Sequence, residues 1–130
     1  MAITYFPVTG SIVAVIADSS SDEDGTPEEQ PISSTVTFTP SVLETTFEGQ
    51  IVRLRPIVAR TEEDGALKTI DGNAVSLAAN CFGLDSLTYK VEFSHVTMDG
   101  ERNQRIEPFR FAAPATAVAV DLATVTRLPL

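Results

Sequence analysis

Leu87-Thr88-Tyr89-Lys90-Val91-Glu92-Phe93-Ser94 alternates apolar and polar side chains at every step. Successive side chains leave opposite faces of a strand, so Leu87, Tyr89, Val91 and Phe93 share one face and Thr88, Lys90, Glu92 and Ser94 the other. A helix, turning about 100° per residue, would scatter the same apolar set around its circumference. The stretch as far as Val96 is therefore a half-buried strand. Ser34-Thr35-Val36-Thr37-Phe38-Thr39 repeats the pattern, with Val36 and Phe38 opposed to Thr35, Thr37 and Thr39, and Pro40 ends it.

Outward from these two strands, Val, Ile, Thr and Phe fill short segments, while Gly, Pro, Asn and Asp punctuate them. That rhythm marks an all-β chain. Gly10 to Ala17 reads as the first secure strand, apolar on both faces and so expected to be central, with an edge piece around Ile3 to Phe6. Asp18 to Pro31, acidic and rich in Ser, reads as a long flexible loop. Val42 to Phe47 is a weaker strand. Ile51 to Arg55 alternates again, and Pro56 marks a bulge or a change of sheet before Ile57 to Arg60. Glu62-Glu63-Asp64-Gly65, Asp71-Gly72-Asn73 and Asp99-Gly100 read as turns, returning into Leu67 to Ile70, Ala74 to Ala78 and Arg105 to Phe111. Phe109 and Phe111 are expected in the core. The last strand is read over Thr116 to Val120 with Val118 and Val120 inward, and Asp121 as the cap of one turn over Leu122 to Val125. The expected fold is a single immunoglobulin-like antiparallel β-sandwich over residues 1–130, with a long acidic loop, 18–31, after the first strand.

The chain carries 18 acidic and 9 basic residues, a net charge of −9. Nucleic-acid affinity rests on Lys and Arg displacing counterions, and anionic membranes attract the same residues, so neither is an expected partner. Asp18, Asp22, Glu23, Asp24, Glu28 and Glu29 fall together without a base among them, whereas most Lys and Arg come later. Cys81 is the single cysteine, so the fold is expected to stand on its core without a disulfide, as suits assembly in a reducing cytosol. Met1 to Thr9 lacks the basic start of a signal peptide, and the apolar run Ile12 to Ala17 is too short to span a bilayer, so a soluble product is expected.

Chemistry finds little to build on. Asp22, Asp24 and Gly25 resemble part of an EF-hand loop, but the register that fits Gly25 puts Ser20 first and Pro31 where the closing Glu belongs. His95 is the single histidine, and its neighbour Ser94 points to the opposite face of the strand. One His and one Cys cannot furnish a metal centre of soft ligands. Phosphate-cradling and nucleophile-elbow motifs are missing from the sequence, and no enzyme or cofactor is expected. The chain has no Trp, which weakens a sugar-stacking site, although the Thr35, Thr37, Thr39 ladder could meet a flat, regular ligand.

Several blocks together resemble one family. Ser34-Thr35-Val36-Thr37-Phe38-Thr39-Pro40-Ser41 is similar to the "GTVTFTPS" strand of small β-sandwich domains in minor tail proteins of tailed phages that infect actinobacteria. Val52 to Arg60 through Asp64-Gly65 resembles the next block of that family, an apolar strand with Pro and a polar hairpin. Val75-Ser76-Leu77-Ala78-Ala79-Asn80 and Thr88-Tyr89-Lys90-Val91-Glu92-Phe93 are similar to its "VxLLA" and "YTVxF" strands, with Leu87 where the family carries Trp. Phe109 to Pro114 and Val120-Asp121-Leu122-Ala123 resemble its closing strand and "VDLA" turn. The likeness runs from about Ser34 to the C-terminus.

The resemblance implies a structural virion component, assembled in the bacterial host cytoplasm and packed against other virion proteins, as a ring or other homo-oligomer at the tail tip. Arg53, Arg55, Arg102, Arg105 and Arg110, with Thr35, Thr37 and Thr39, are the candidate interface residues, since Arg is enriched at contacts. The tail Leu128-Pro129-Leu130 is a further candidate for docking on a neighbour. Two other readings stay open: a capsid decoration protein of the phage head, and a carbohydrate-binding module that contacts a host glycan.

Overall fold

The computed structural model describes residues 3–10, 13–16, 28–31, 33–61, 66–98, 101–104 and 106–129. Its strands are β1 (Tyr5–Thr9), β2 (Val13–Ile16), β3 (Glu28–Pro31), β4 (Ser33–Pro40), β5 (Glu44–Phe47), β6 (Gln50–Arg53), β7 (Ile57–Thr61), β8 (Leu67–Thr69), β9 (Val75–Ala78), β10 (Thr88–Met98), β11 (Glu101–Gln104), β12 (Phe109–Ala112) and β13 (Val120–Asp121). The described residues are all-β and form an antiparallel β-sandwich, with one parallel pair among them, between β1 and β13. The smaller sheet runs β13-β1-β9. The larger runs β11-β10-β4-β7-β8, with β12 beside β11 along the same edge of β10.

Alternation does what the sequence requires of it. Val36 and Phe38 of β4, Leu87 just before β10, and Tyr89 and Val91 within it are buried, while Thr35, Thr37, Thr39, Lys90 and Glu92 face outward. Phe109 and Phe111 complete the inner face of the larger sheet. From the smaller sheet Phe6, Val8, Val75 and Leu77 close over them, all at most 2 % exposed. Phe6 sits edge-on to Tyr89 and Phe111, with ring centroids 6.1 and 6.2 Å away, and Tyr89 stacks on Phe111. Offset and edge-to-face arrangements are the ones that aromatic quadrupoles favour. The Tyr89 hydroxyl donates to the Ala78 carbonyl at 2.8 Å, tying the larger sheet to β9 of the smaller.

His95 interrupts the alternation. Its φ is +53°, and the pairing of β10 with β4 shifts register between Ser94 and Thr97. Such a bulge adds one residue to one strand. The inward phase therefore passes from odd positions up to Phe93 to Val96, which is 3 % exposed. A β-branched residue tolerates this left-handed backbone poorly, and Asn tolerates it well. Thermal unfolding is expected to show His95→Val less stable by about 1–2 kcal/mol and His95→Asn within about 0.5 kcal/mol of the parent.

Four expectations are corrected. The stretch Gly10 to Ala17 is not the central strand: β1 holds that place, between β9 and β13, and β2 pairs with β3. Apolarity on both faces does not choose a partner, whereas Phe6 and Val8 alternate toward the core. Pro7 is accommodated because β13 pairs only with Val8 and Thr9, beyond it. Within the expected loop 18–31, Glu28–Pro31 is a strand, and residues 18–27 lie outside the described residues. Arg105 to Phe111 is not one returning strand, because β11 and β12 are separate with Pro108 between them. Thr116 to Val120 pairs only at Val120, and Val118 is 61 % exposed, since no described strand lies beside 116–119 to hold them extended.

Pro56 does mark a change of sheet: β6 pairs with β5, and β7 with β4. Asp121 caps the turn expected of it, its carboxylate accepting from Ala123 N–H at 2.9 Å and its carbonyl from Val125 N–H at 2.9 Å. The turns expected at Glu62 to Gly65 and at Asp99-Gly100 lie outside the described residues, although β7 pairs antiparallel with β8 and β10 with β11 across them.

Candidate interaction surfaces

The outer face of the larger sheet is made by the residues that alternation turns away from the core. Threonine suits it because a branched Cβ packs well on a pleated, half-buried surface. Register assembles the face into rows. Arg110 of β12, Lys90 of β10 and Thr39 of β4 lie side by side; Glu92, Thr37 and Val58 form the next row; Ser94, Thr35, Arg60 and Lys68 the third. Lys90 and Glu92 approach to 3.9 Å, a loose surface pair worth little in stability. The threonines are half-buried among their cross-strand neighbours, and Val58, 45 % exposed, adds an apolar spot.

Arg53 and Arg55 belong to a second surface. β5 and β6 form a two-residue hairpin with Glu48 (φ +50°) and Gly49 (φ +82°) at its tip. Two successive positive φ angles are the mark of a type I′ turn, whose twist matches the paired strands. Phe47 anchors the hairpin edge-on to Phe82, with centroids 5.8 Å apart. Past β6, Leu54 returns to the core, leaving Arg53 and Arg55 exposed on either side of it. They rim an open groove of about 270 Å³ whose apolar walls include Ile3, Val52 and Ile57, with Tyr5 at its mouth. Ile51, 75 % exposed, projects from the same hairpin.

The candidate interface residues thus divide. Thr35, Thr37, Thr39 and Arg110 are brought together on the sheet face, and Arg53 and Arg55 at the groove. Arg102 lies on β11, where only the backbone is described, and Arg105 lies outside the described residues. Lys90, Arg60 and Lys68 complete the face but were not singled out from the sequence. Lys90 was legible from its phase; Arg60 and Lys68 required the β7–β8 register. The C-terminal tail docks on its own domain: Leu128 N–H donates to the Arg110 carbonyl at 2.8 Å, and the Arg127 guanidinium lies 4.1 Å from the centre of the Phe109 ring.

His95 is exposed at the bulge, and Cys81 is half-buried in the segment after β9. Among the described residues no three His, Cys, Asp or Glu side chains are grouped to hold a metal ion. The EF-hand-like stretch lies mostly outside the described residues. No described helix is long and apolar enough to cross a membrane. Comparison of the chain with protein-family models, with curated proteins and with solved structures gives no match.

Proposed function

We propose that the chain is a structural, non-enzymatic component of a tailed-phage virion, a minor tail protein at the tail tip that packs against other virion subunits. The observation that carries this reading is that Ser34 to Ser41, the first block of the resemblance to the phage tail domains, supplies most of β4, the middle strand of the threonine-bearing face. The five strands β12, β10, β4, β7 and β8 span roughly 20 Å, and β4 runs about 25 Å, from ordinary strand spacing and rise. That is about 500 Å² of projected area, the greater part of the roughly 800 Å² per partner in a standard protein contact. A sheet face held from below by Phe38, Val91 and Phe111 is rigid, so docking on it orders few groups that were mobile before.

The reading predicts copy number. Quantitative mass spectrometry of purified particles should find the chain at a small fixed ratio to the tail-tube subunit. A ratio near that of the major capsid protein would assign it to head decoration instead. Its absence from particles would end the virion reading and make binding to host cell-wall glycan the next measurement.

A further inference from the structure

The groove beside β6 carries backbone groups without partners. Leu54 N–H donates to the Leu43 carbonyl at 2.9 Å, which continues the β5–β6 ladder by one pair. Only alternate residues of an antiparallel pair exchange these bonds, so Arg53, opposite Glu44, turns its N–H and C=O away from β5. On that side β6 pairs with no second strand among the described residues. Pro56 holds Arg55 extended, so the same edge runs on through it. Val52, Arg53, Leu54 and Arg55 follow one another along the groove, which thus offers a backbone edge as well as side chains. Ala78 of β9 lines the same groove. Ala79 N–H donates to the Thr4 carbonyl at 2.8 Å, so by the same alternation Ala78 turns its groups away from β1. The Ala78 carbonyl takes the Tyr89 hydroxyl, but its N–H meets no acceptor among the described residues. Ala78 is buried, and an unpaired N–H at a buried residue is uncommon.

Charge points the same way. Arg53 and Arg55 rim the groove and no acid lines it, in a chain of net charge −9. Glu44 lies across the hairpin from Arg53, yet among the described residues neither guanidinium has an ion pair. We propose that the groove is a strand-addition site, which takes an extended segment of a partner protein with an aliphatic residue between two acids. Arg53 and Arg55 stand one strand repeat apart, about 7 Å, as do alternate side chains of an extended peptide. Paired along this edge, the peptide sets its two carboxylates opposite the two guanidinia, and opposite charges across a pair are favourable. The residue between them shares the side of Leu54 and meets the apolar wall of Ile3, Val52 and Ile57. A sugar or a fatty acid lacks the row of N–H and C=O groups that such an edge pairs with. This contact lies apart from the threonine-bearing face and does not need the phage assignment.

The test is a nuclear magnetic resonance titration of the isotope-labelled full chain with the peptide acetyl-TEVEVT-amide at low salt. Amide shifts should centre on Val52 to Arg55 and on Ala78, with a Kd of about 1 mM, as suits a short unconstrained peptide. Acetyl-TKVKVT-amide should bind at least about tenfold more weakly, because like charges then face each other. Arg53→Glu with Arg55→Glu should exchange the two preferences, and Arg53→Gln with Arg55→Gln should remove them if the reversed pair does not fold. Methylating the nitrogen of the valine between the two acids should weaken binding if the backbone is paired. No shifts at about 5 mM peptide, or shifts centred on Lys90 and Arg110 of the outer face, would overturn the proposal. Equal binding of the two peptides, or indifference to the N-methyl group, would do the same. So would shifts at Val52 to Arg55 on raising the protein concentration alone, which assign the groove to a second copy.

Discussion

Phe6→Ala is expected to destabilise the domain by about 3–5 kcal/mol, the range for removing a buried Phe. Phe6 has no exposed surface and is the side chain through which the smaller sheet meets Tyr89 and Phe111 of the larger. The mutant loses the transfer energy of the ring and keeps a cavity, because β1 is held between β9 and β13 and cannot collapse into the space. A domain of this size is stable by about 5–15 kcal/mol, so the loss is a large fraction of the total. Urea unfolding at neutral pH measures it as a lowered midpoint at unchanged slope. Phe47→Ala serves as the comparison. That ring touches Phe82 at the edge of the molecule and is only half-buried, so its loss should cost about 1–2 kcal/mol.

Tyr89 makes the stability of the fold depend on alkaline pH. Burial pushes its phenol up from 10.0 to about 12, with the nearby Cys81 and Tyr5 adding to the rise and the hydrogen bond to Ala78 opposing it. A folded state that holds its proton longer than the unfolded chain is favoured while both are protonated, and it loses that advantage as the unfolded phenol ionises. Stability should therefore be undiminished below pH 10 and fall between pH 10 and about 12, by about 2–3 kcal/mol from this residue. Tyr89→Phe should be less stable at neutral pH by about 1–2 kcal/mol, since the buried Ala78 carbonyl loses its donor. The same variant should lack this part of the alkaline loss, so the two unfolding curves approach each other above pH 10 and cross before about pH 12. Parallel curves for parent and mutant from pH 9 to about 12 would contradict the role given to burial.

The strands with strict alternation could be read directly. β4 and β10 carry it in their residues, and Phe109 and Phe111 keep the phase that Pro108 resets. Less legible was anything that depends on a partner. Val13 to Ile16 is as apolar as a central strand, yet centrality is set by what lies on either edge, and β1 won that place with two inward residues and a proline. Thr116 to Val120 alternates too, with Val118 and Val120 in phase, but among the described residues only Val120 meets a partner strand, and Val118 stays exposed. The bulge at His95 did leave a trace, since the apolar phase changes from Phe93 to Val96, but nothing in the types of Ser94 and His95 announces a left-handed residue. The basic face was half visible. Lys90 and Arg110 lie opposite inward-facing aromatics, whereas Arg60 and Lys68 join them only through the pairing of β7 with β8.

Immunogold electron microscopy of intact particles, with an antibody raised against the folded domain, addresses the central claim most directly. The account predicts label confined to the tip of the tail, a few grains per particle at most. Label spread over the head, or no label on intact and on disrupted particles alike, would contradict it.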